Sequence, residues 1–161
     1  VISGGEPTLW PELEGFLGEV RALGYQTKLD TNGTRPNVLR RLLEQSLLDY
    51  VAMDLKDVPE RYEQWLCTTT VAHAVRESIR LLQASSIAHE FRTTLEATRH
   101  DVETLAVLRQ LITNAPWYLQ SQTPTKRAGN TPFTSNELQH LVSRVEALAQ
   151  GPVHLRRTGT G

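Results

Sequence analysis

Three carboxylates, an ammonium and a guanidinium recur in this sequence at or just past stretches that read as β-strands: Glu6, Asp30, Asp54, Lys56 and Arg92. In a parallel sheet the C-terminal ends of all strands point the same way, so these groups gather at one mouth, where ligands of α/β proteins bind. Gly4 and Gly5 precede Glu6 at a strand-to-helix turn, where paired glycines let backbone N–H groups approach a ligand with no Cβ in the way. Asn32 and Gly33 add turn backbone and an amide at the same rim. Arg92 and Thr94 lie two apart in one strand and so share a face. If that face is interior, the guanidinium needs an anionic partner, either a protein carboxylate or a ligand carboxylate or phosphate. Each group also has a plainer use. Glu6 can be a solvated acid, Asp30 can cap the Thr31–Gly33 turn, Asp54 and Lys56 can pair with each other, and Arg92 can serve a structural salt bridge. Their shared position on successive strands favours a binding site over independent surface charges.

The elements that must position them alternate. Val1 and Ile2 read as a strand end. Leu13, Phe16, Leu17, Val20 and Leu23 recur at helical spacing, and Gly24 ends that helix. Tyr25–Asp30 reads as a strand closed by Thr31-Asn32-Gly33. Pro36 suits the first turn of a helix whose apolar face is Val38, Leu39, Leu42 and Leu43. Asp49–Leu55 is a strand whose near-continuous apolar run suggests burial on both faces. A short helix around Glu60–Leu66 precedes a firmer one with Val75, Ile79 and Leu82 inward. A strand follows at Glu90–Leu95, then a helix from Asp101 bearing Leu105, Leu108, Leu111 and Ile112, and a fifth strand at Trp117–Gln122. Thr123–Pro132 reads as a loop. Thr134 and Glu137 form a capping-box signature before Leu138, Leu141, Val142, Val145 and Leu148, and Val153–Arg157 is a last short strand. This βα repetition predicts a mainly parallel sheet with right-handed crossovers and one domain over residues 1–161.

Composition removes several classes. Among 161 residues the formal net charge is −1, which gives no electrostatic case for nucleic acid or an acidic membrane. No apolar run approaches the roughly 18 residues that span a bilayer. Cys67 is the one cysteine, so neither a disulfide framework nor a thiolate-ligated metal site can be built from this chain alone. It reads as a partly buried structural thiol, and a cytoplasmic protein is expected. His73, His89, His100, His140 and His154 are scattered, with no pair at metal-ligand spacing. Phosphate-loop, dinucleotide, serine-hydrolase and zincin motifs are absent. Val1 lies inside the first expected strand, so residues are expected to precede it.

Four linked motifs carry a resemblance: V-I-S-G-G-E-P-T-L (Val1–Leu9), K-L-D-T-N-G (Lys28–Gly33), D-Y-V-A-M-D-L-K (Asp49–Lys56) and E-F-R-T-T (Glu90–Thr94). In this order and spacing they resemble the radical S-adenosylmethionine (radical SAM) enzymes. The subgroup they resemble most is the activating proteins of anaerobic ribonucleoside-triphosphate reductase, relatives of pyruvate formate-lyase activating enzyme. The resemblance runs from Val1 to about Pro124. It implies a partial (βα)6 barrel of parallel strands, missing its first βα unit. It places the methionine amino group of S-adenosyl-L-methionine at Gly4, Gly5 and Glu6. The carboxylate and ribose, and in the close relative a monovalent cation, fall at Asp30, Thr31, Asp54 and Lys56, with Asn32 of the same turn and Arg92 as further cofactor-binding residues. An α-amino, α-carboxylate ligand needs both acids and bases at one rim, which agrees with the charges found there.

The resemblance also implies a 4Fe-4S cluster that donates one electron to S-adenosyl-L-methionine. The resulting 5′-deoxyadenosyl radical abstracts hydrogen from a glycine of a glycyl-radical partner enzyme, and a small electron-transfer protein serves as reductant. The family's cluster cysteines, C-x-x-x-C-x-x-C, stand before G-G-E-P and are expected upstream of Val1, so the sequence as it stands is expected to be inactive. Gln120-Ser121-Gln122-Thr123-Pro124 keeps only Gln120 and Pro124 of the subgroup's strand there. Other readings are a 7-carboxy-7-deazaguanine synthase, a barrel enzyme holding Mg²⁺ with Glu6, Asp30 and Asp54, and a non-catalytic remnant that binds S-adenosyl-L-methionine or a partner.

Overall fold

The computed structural model describes residues 1–66, 70–113, 115–121, 133–149 and 151–156. Its elements run as a 3-10 turn (Pro7–Leu9), α1 (Leu13–Ala22), β1 (Lys28–Thr31), α2 (Pro36–Glu44), β2 (Tyr50–Asp54), α3 (Pro59–Leu66) and α4 (Thr70–Ala84). They continue with β3 (Ala88–Leu95), α5 (Val102–Leu111), β4 (Trp117–Ser121), α6 (Ser135–Ala149) and β5 (His154–Arg156). The five parallel strands form one sheet in the order β1-β2-β3-β4-β5. Strand order that simply follows the chain, with a helix at every crossover, is the winding of a barrel segment. A doubly wound sheet would reverse at a switch point.

The first expected strand is reduced to one parallel bridge, Ile2 to Leu29. Its N–H donates to Lys28 O at 2.7 Å and its carbonyl accepts from Asp30 N at 2.9 Å. The chain then turns at Gly4, so pairing stops there. The strand expected from Tyr25 starts at Lys28, because Tyr25 N donates back to Val20 O and Asp49 captures Thr27. Asp49 Oδ2 accepts from Thr27 N and from Arg21 Nη1, both at 2.7 Å, and Thr27 Oγ1 donates to Leu47 O. This clamp sets the register Lys28↔Tyr50 to Thr31↔Met53. The Thr27 amide, and after it the Arg21 guanidinium, hold the Asp49 carboxyl below the usual carboxylate range.

The helix ends follow the sequence signals. Pro36 opens α2, Asp101 caps α5 by accepting from Thr104 N at 2.7 Å, and Thr134 and Glu137 exchange the reciprocal bonds of a capping box. The Glu137 carboxyl is held low by the Thr134 amide and hydroxyl.

The chain divides into two compact units, Val1–Asp54 with Pro59–Glu90, and Leu55–Val58 with Phe91–Gly161. In the first, the core is Leu13 and Leu17 of α1, Leu29, Leu39 and Leu42, Val51-Ala52-Met53, and Val75, Ile79 and Leu82 of α4. The β2 run is fully buried, as its sequence suggests. Phe16 and Leu23, expected on the buried face of α1, are exposed at 38% and 74%. Phe16 instead meets the ring of Trp10, with centroids 5.3 Å apart. In the second unit α5 packs on α6 over Phe91, Leu95, Leu105, Leu108, Ile112, Trp117, Leu119 and Val145. Trp117 Nε1 donates to Thr93 Oγ1 at 3.0 Å, so the largest buried ring is also satisfied.

Candidate functional site

In the first unit the site is built on the glycine turn. Gly4 and Gly5 both take positive φ, +99° and +56°, and the direction in which each would carry a Cβ is open. Two successive left-handed residues require glycine and swing Glu6 back over the end of β1. Its Oε1 accepts from Thr8 Oγ1 at 2.5 Å, Thr31 Oγ1 at 2.7 Å and Thr8 N at 3.2 Å, and its Oε2 accepts from Asn32 N at 2.7 Å. One carboxylate therefore fastens the G-G-E-P turn to the D-T-N-G turn. The second turn is closed by its own side chains. Asn32 Oδ1 accepts from Thr34 N, Thr31 Oγ1 accepts from Gly33 N, and Ser78 Oγ of α4 donates to Gly33 O. Asn32 is thus a side-chain cap of this turn.

Asp30 points to the opposite face of β1 from Leu29 and Thr31. Lys28 shares that face, and the register puts Tyr50, Ala52 and Asp54 of β2 on it as well. Lys28 Nζ lies 3.7 Å from Asp30 Oδ1 and 3.9 Å from Glu90 Oε1, and 5.1 Å over the Tyr50 ring. Tyr50 Oη donates to Glu90 Oε2 at 2.9 Å. Glu90, at 3% exposure, is the buried acid of this face, and sequence reasoning did not single it out. Apart from the buried Ala52, the face is polar from the Lys28–Tyr50–Glu90 floor up to Asp54, while its reverse side carries Leu29, Val51 and Met53.

In the second unit, Lys56 follows Leu55, whose N–H donates to Arg92 O at 2.7 Å. Phe91, Thr93 and Leu95 are buried. Arg92 and Thr94 turn the other way, together with Tyr118, Gln120, His154 and Arg156 of β4 and β5. Gln120 Nε2 donates to Thr94 Oγ1 at 2.8 Å, and the Arg156 guanidinium lies 4.2 Å over the Tyr118 ring. At the C-terminal ends of β4 and β5 a cavity of about 550 Å³ is lined by Ser121, Phe133, Leu138, Leu155 and Arg156. The larger cavity, about 780 Å³, lies against α2 and α4 and includes none of the expected ligand residues.

His100, which sequence reading passed over as a scattered histidine, is 3% exposed and bonded at both nitrogens. Nδ1 accepts from Glu96 N at 2.9 Å, and Nε2 faces Lys56 O at 3.1 Å. A carbonyl can only accept, so Nε2 carries the proton. The partners lie 4 and 44 residues away, and no local pattern marks such a contact.

Among the described residues no group of three or more His, Cys, Asp or Glu side chains could hold a metal ion. This counts against the Mg²⁺ reading, because Glu6 is turned to Thr31 and Asn32. No helix of the described residues is long and apolar enough to cross a membrane. The readings of Cys67, of the Thr123–Pro132 loop and of Gln122 and Arg157 at strand ends lie outside the described residues.

Comparison with known proteins gives one family. Residues 1–111 match the model of the radical SAM superfamily. A protein of Methanocaldococcus jannaschii named for glycyl-radical enzyme activation is 30% identical over 152 residues, which is 88% of this chain and 63% of that protein. The chain thus spans less than two thirds of that relative's length. A domain of the pyruvate-formate lyase-activating enzyme from Bacteroides vulgatus shares the fold with a TM-score of 0.71 at 15% identity, covering 98% of this chain and 97% of that one. SuiB of Streptococcus suis bound to S-adenosylmethionine gives a TM-score of 0.67 at 13% identity, over 97% of this chain and 36% of that one. With the family model matching well over half of its residues, this chain belongs to the radical SAM superfamily.

Proposed function

We propose that the intact protein is a radical SAM enzyme that activates a glycyl-radical partner, with S-adenosyl-L-methionine held by Gly4, Gly5, Glu6, Asp30, Thr31, Asn32, Asp54, Lys56 and Arg92. The observation that carries this reading is the Glu6 junction, which makes one rigid rim of two motifs separated by 25 residues. The fit to the cofactor is chemical. The glycine turn leaves open space beside exposed backbone, and Glu6 Oε2 takes a single donor and so keeps acceptor capacity for an ammonium. Asp30 and Asp54 add negative charge on the opposite face of the sheet from Thr31, and in the second unit Lys56 and Arg92 are the cations of the kind a carboxylate needs. Bound S-adenosyl-L-methionine would supply the adenosyl group from which the family's hydrogen-abstracting radical comes. The cluster is a different matter. It takes three or four thiolates, and the sequence has one cysteine, so the residues of this chain do not fit it.

The similarity to the Methanocaldococcus jannaschii protein favours a peptide glycine as the hydrogen donor, and the sequence motifs favour an enzyme like anaerobic ribonucleotide reductase as the partner. Calorimetry on the intact protein tests the site. Asp54→Ala should weaken S-adenosyl-L-methionine binding about tenfold or more, the loss of one charge-assisted contact. Unchanged affinity would refute the assignment. Anaerobic mixing with a candidate partner and a reductant should then produce a glycyl-radical signal in electron paramagnetic resonance. Turnover of a small heterocycle without that signal would move the chain to another branch of the superfamily.

A further inference from the structure

Lys56 is exposed, and a long exposed side chain alone is a poor means of fixing a ligand carboxylate. Its backbone, however, is anchored twice in succession. Leu55 N donates to Arg92 O at 2.7 Å, and Lys56 O accepts from His100 Nε2 at 3.1 Å. The other nitrogen of His100 is held by Glu96 N, just past β3, the strand that bears Arg92. We propose that His100 is a positioning residue for the cofactor, a buried two-ended staple that fixes the Lys56 carbonyl in the frame of the Arg92 strand and so presents both cations to one ligand carboxylate. This inference rests on the cofactor reading given above.

The staple works only with a neutral ring, because Glu96 N–H needs an acceptor at Nδ1. Burial holds the imidazole below its ordinary range and so supports that state. The Lys56 carbonyl bond opposes this, as do the facing carboxylates of Asp57 and Glu96. Arg99, 3.1 Å from Glu96, acts with the burial. No phenyl ring can replace the staple, and the two amide side chains each replace half of it. Gln reaches far enough to donate at the Nε2 position and keep the Lys56 bond. Asn reaches the Nδ1 position and keeps only the Glu96 bond.

Calorimetric titration of the intact protein with S-adenosyl-L-methionine separates these cases. His100→Phe and His100→Asn should bind roughly five- to tenfold more weakly, the worth of one backbone bond, while His100→Gln should stay within about twofold of the parent. Equal affinity in all three variants, or rescue by Asn and not Gln, would overturn the inference while leaving the cofactor reading standing. A parent protein that binds no S-adenosyl-L-methionine would overturn both. Should the variants fail to fold, nitrogen-15 spectra of the parent imidazole decide. A neutral ring protonated at Nε2, whose Nε2 resonance moves on saturation with S-adenosyl-L-methionine, is expected. Resonances that ignore the ligand would refute the staple.

Discussion

Gly33 is the residue of the D-T-N-G turn that tolerates least change. It sits at φ +73°, and an ideal Cβ built there overlaps Met53 Cε, lies 3.0 Å from Met53 Sδ and 3.4 Å from Ser78 Cβ. Met53 is fully buried in β2, so its methyl has no solvent to retreat into. Gly33→Ala therefore carries two penalties. The left-handed backbone costs an L-residue about 1–2 kcal/mol, and overpacking adds about 1–3 kcal/mol. The sum, roughly 2–5 kcal/mol, should lower Tm by roughly 4–20 °C for a chain of this size. The two parts separate in a double-mutant cycle. Met53→Ala alone opens a cavity at about 2–5 kcal/mol. Combined with Gly33→Ala it gives the new methyl somewhere to go, so only the backbone penalty should remain from the glycine exchange. The pair should then be less destabilised than the sum of singles by about 1–3 kcal/mol. Urea unfolding followed by far-ultraviolet circular dichroism and by tryptophan fluorescence measures all four corners, with a common m-value as the check that compactness is unchanged. Additivity within about 0.5 kcal/mol would mean that Met53 does not confine Gly33, and the steric argument would fall.

The Asp49 clamp should show in acid. Because its folded pKa is depressed by Thr27 N and Arg21, Asp49 contributes stability that is present above its unfolded pKa of about 3.9 and is lost as pH falls through the lower folded value. Asp49→Asn should thus be less stable than the parent at neutral pH, with the gap closing below about pH 4. Urea midpoints across a pH series test this, and a gap that persists undiminished in acid would refute it. Trp117→Phe removes the donor to the buried Thr93 hydroxyl and should cost about 1–3 kcal/mol beyond the lost ring volume. Adding Thr93→Val should recover part of that loss in thermal unfolding, because no polar atom is then stranded. A further loss in the double variant would refute the pairing.

What could be read from the sequence is what local chemistry decides. The D-Y-V-A-M-D-L run announces a strand without a solvent face, and Val51, Ala52 and Met53 are each fully buried. Asp101, Thr134 and Glu137 announce helix starts through contacts that span three residues. Periodicity is weaker. It shows that Leu13, Phe16, Leu17, Val20 and Leu23 share a side of α1, but not how wide a stripe the sheet covers. Only Leu13 and Leu17 are buried there. Contacts across tens of residues leave no mark at all. The Lys28–Tyr50–Glu90 floor and the His100 staple join side chains whose separate spacings mean nothing until the strands are laid side by side.

Glu6 shows how far the motif reading and the geometry differ in kind. As a letter in G-G-E-P it is a candidate ligand group. In the fold, three donors crowd Oε1 and one holds Oε2, so most of its acceptor capacity is spent on joining two turns. Removing it would strand the Thr8 and Thr31 hydroxyls, which are all but buried, and free the Asn32 amide. A loss of cofactor affinity in a Glu6 variant would therefore not distinguish a missing contact from a collapsed rim. Asp54 ends β2 on the polar face, and thermal unfolding and calorimetry on one Asp54 variant read scaffold and ligand separately. A charge effect on binding at Asp54, unaccompanied by loss of stability, isolates ligand recognition from the scaffold that makes it possible.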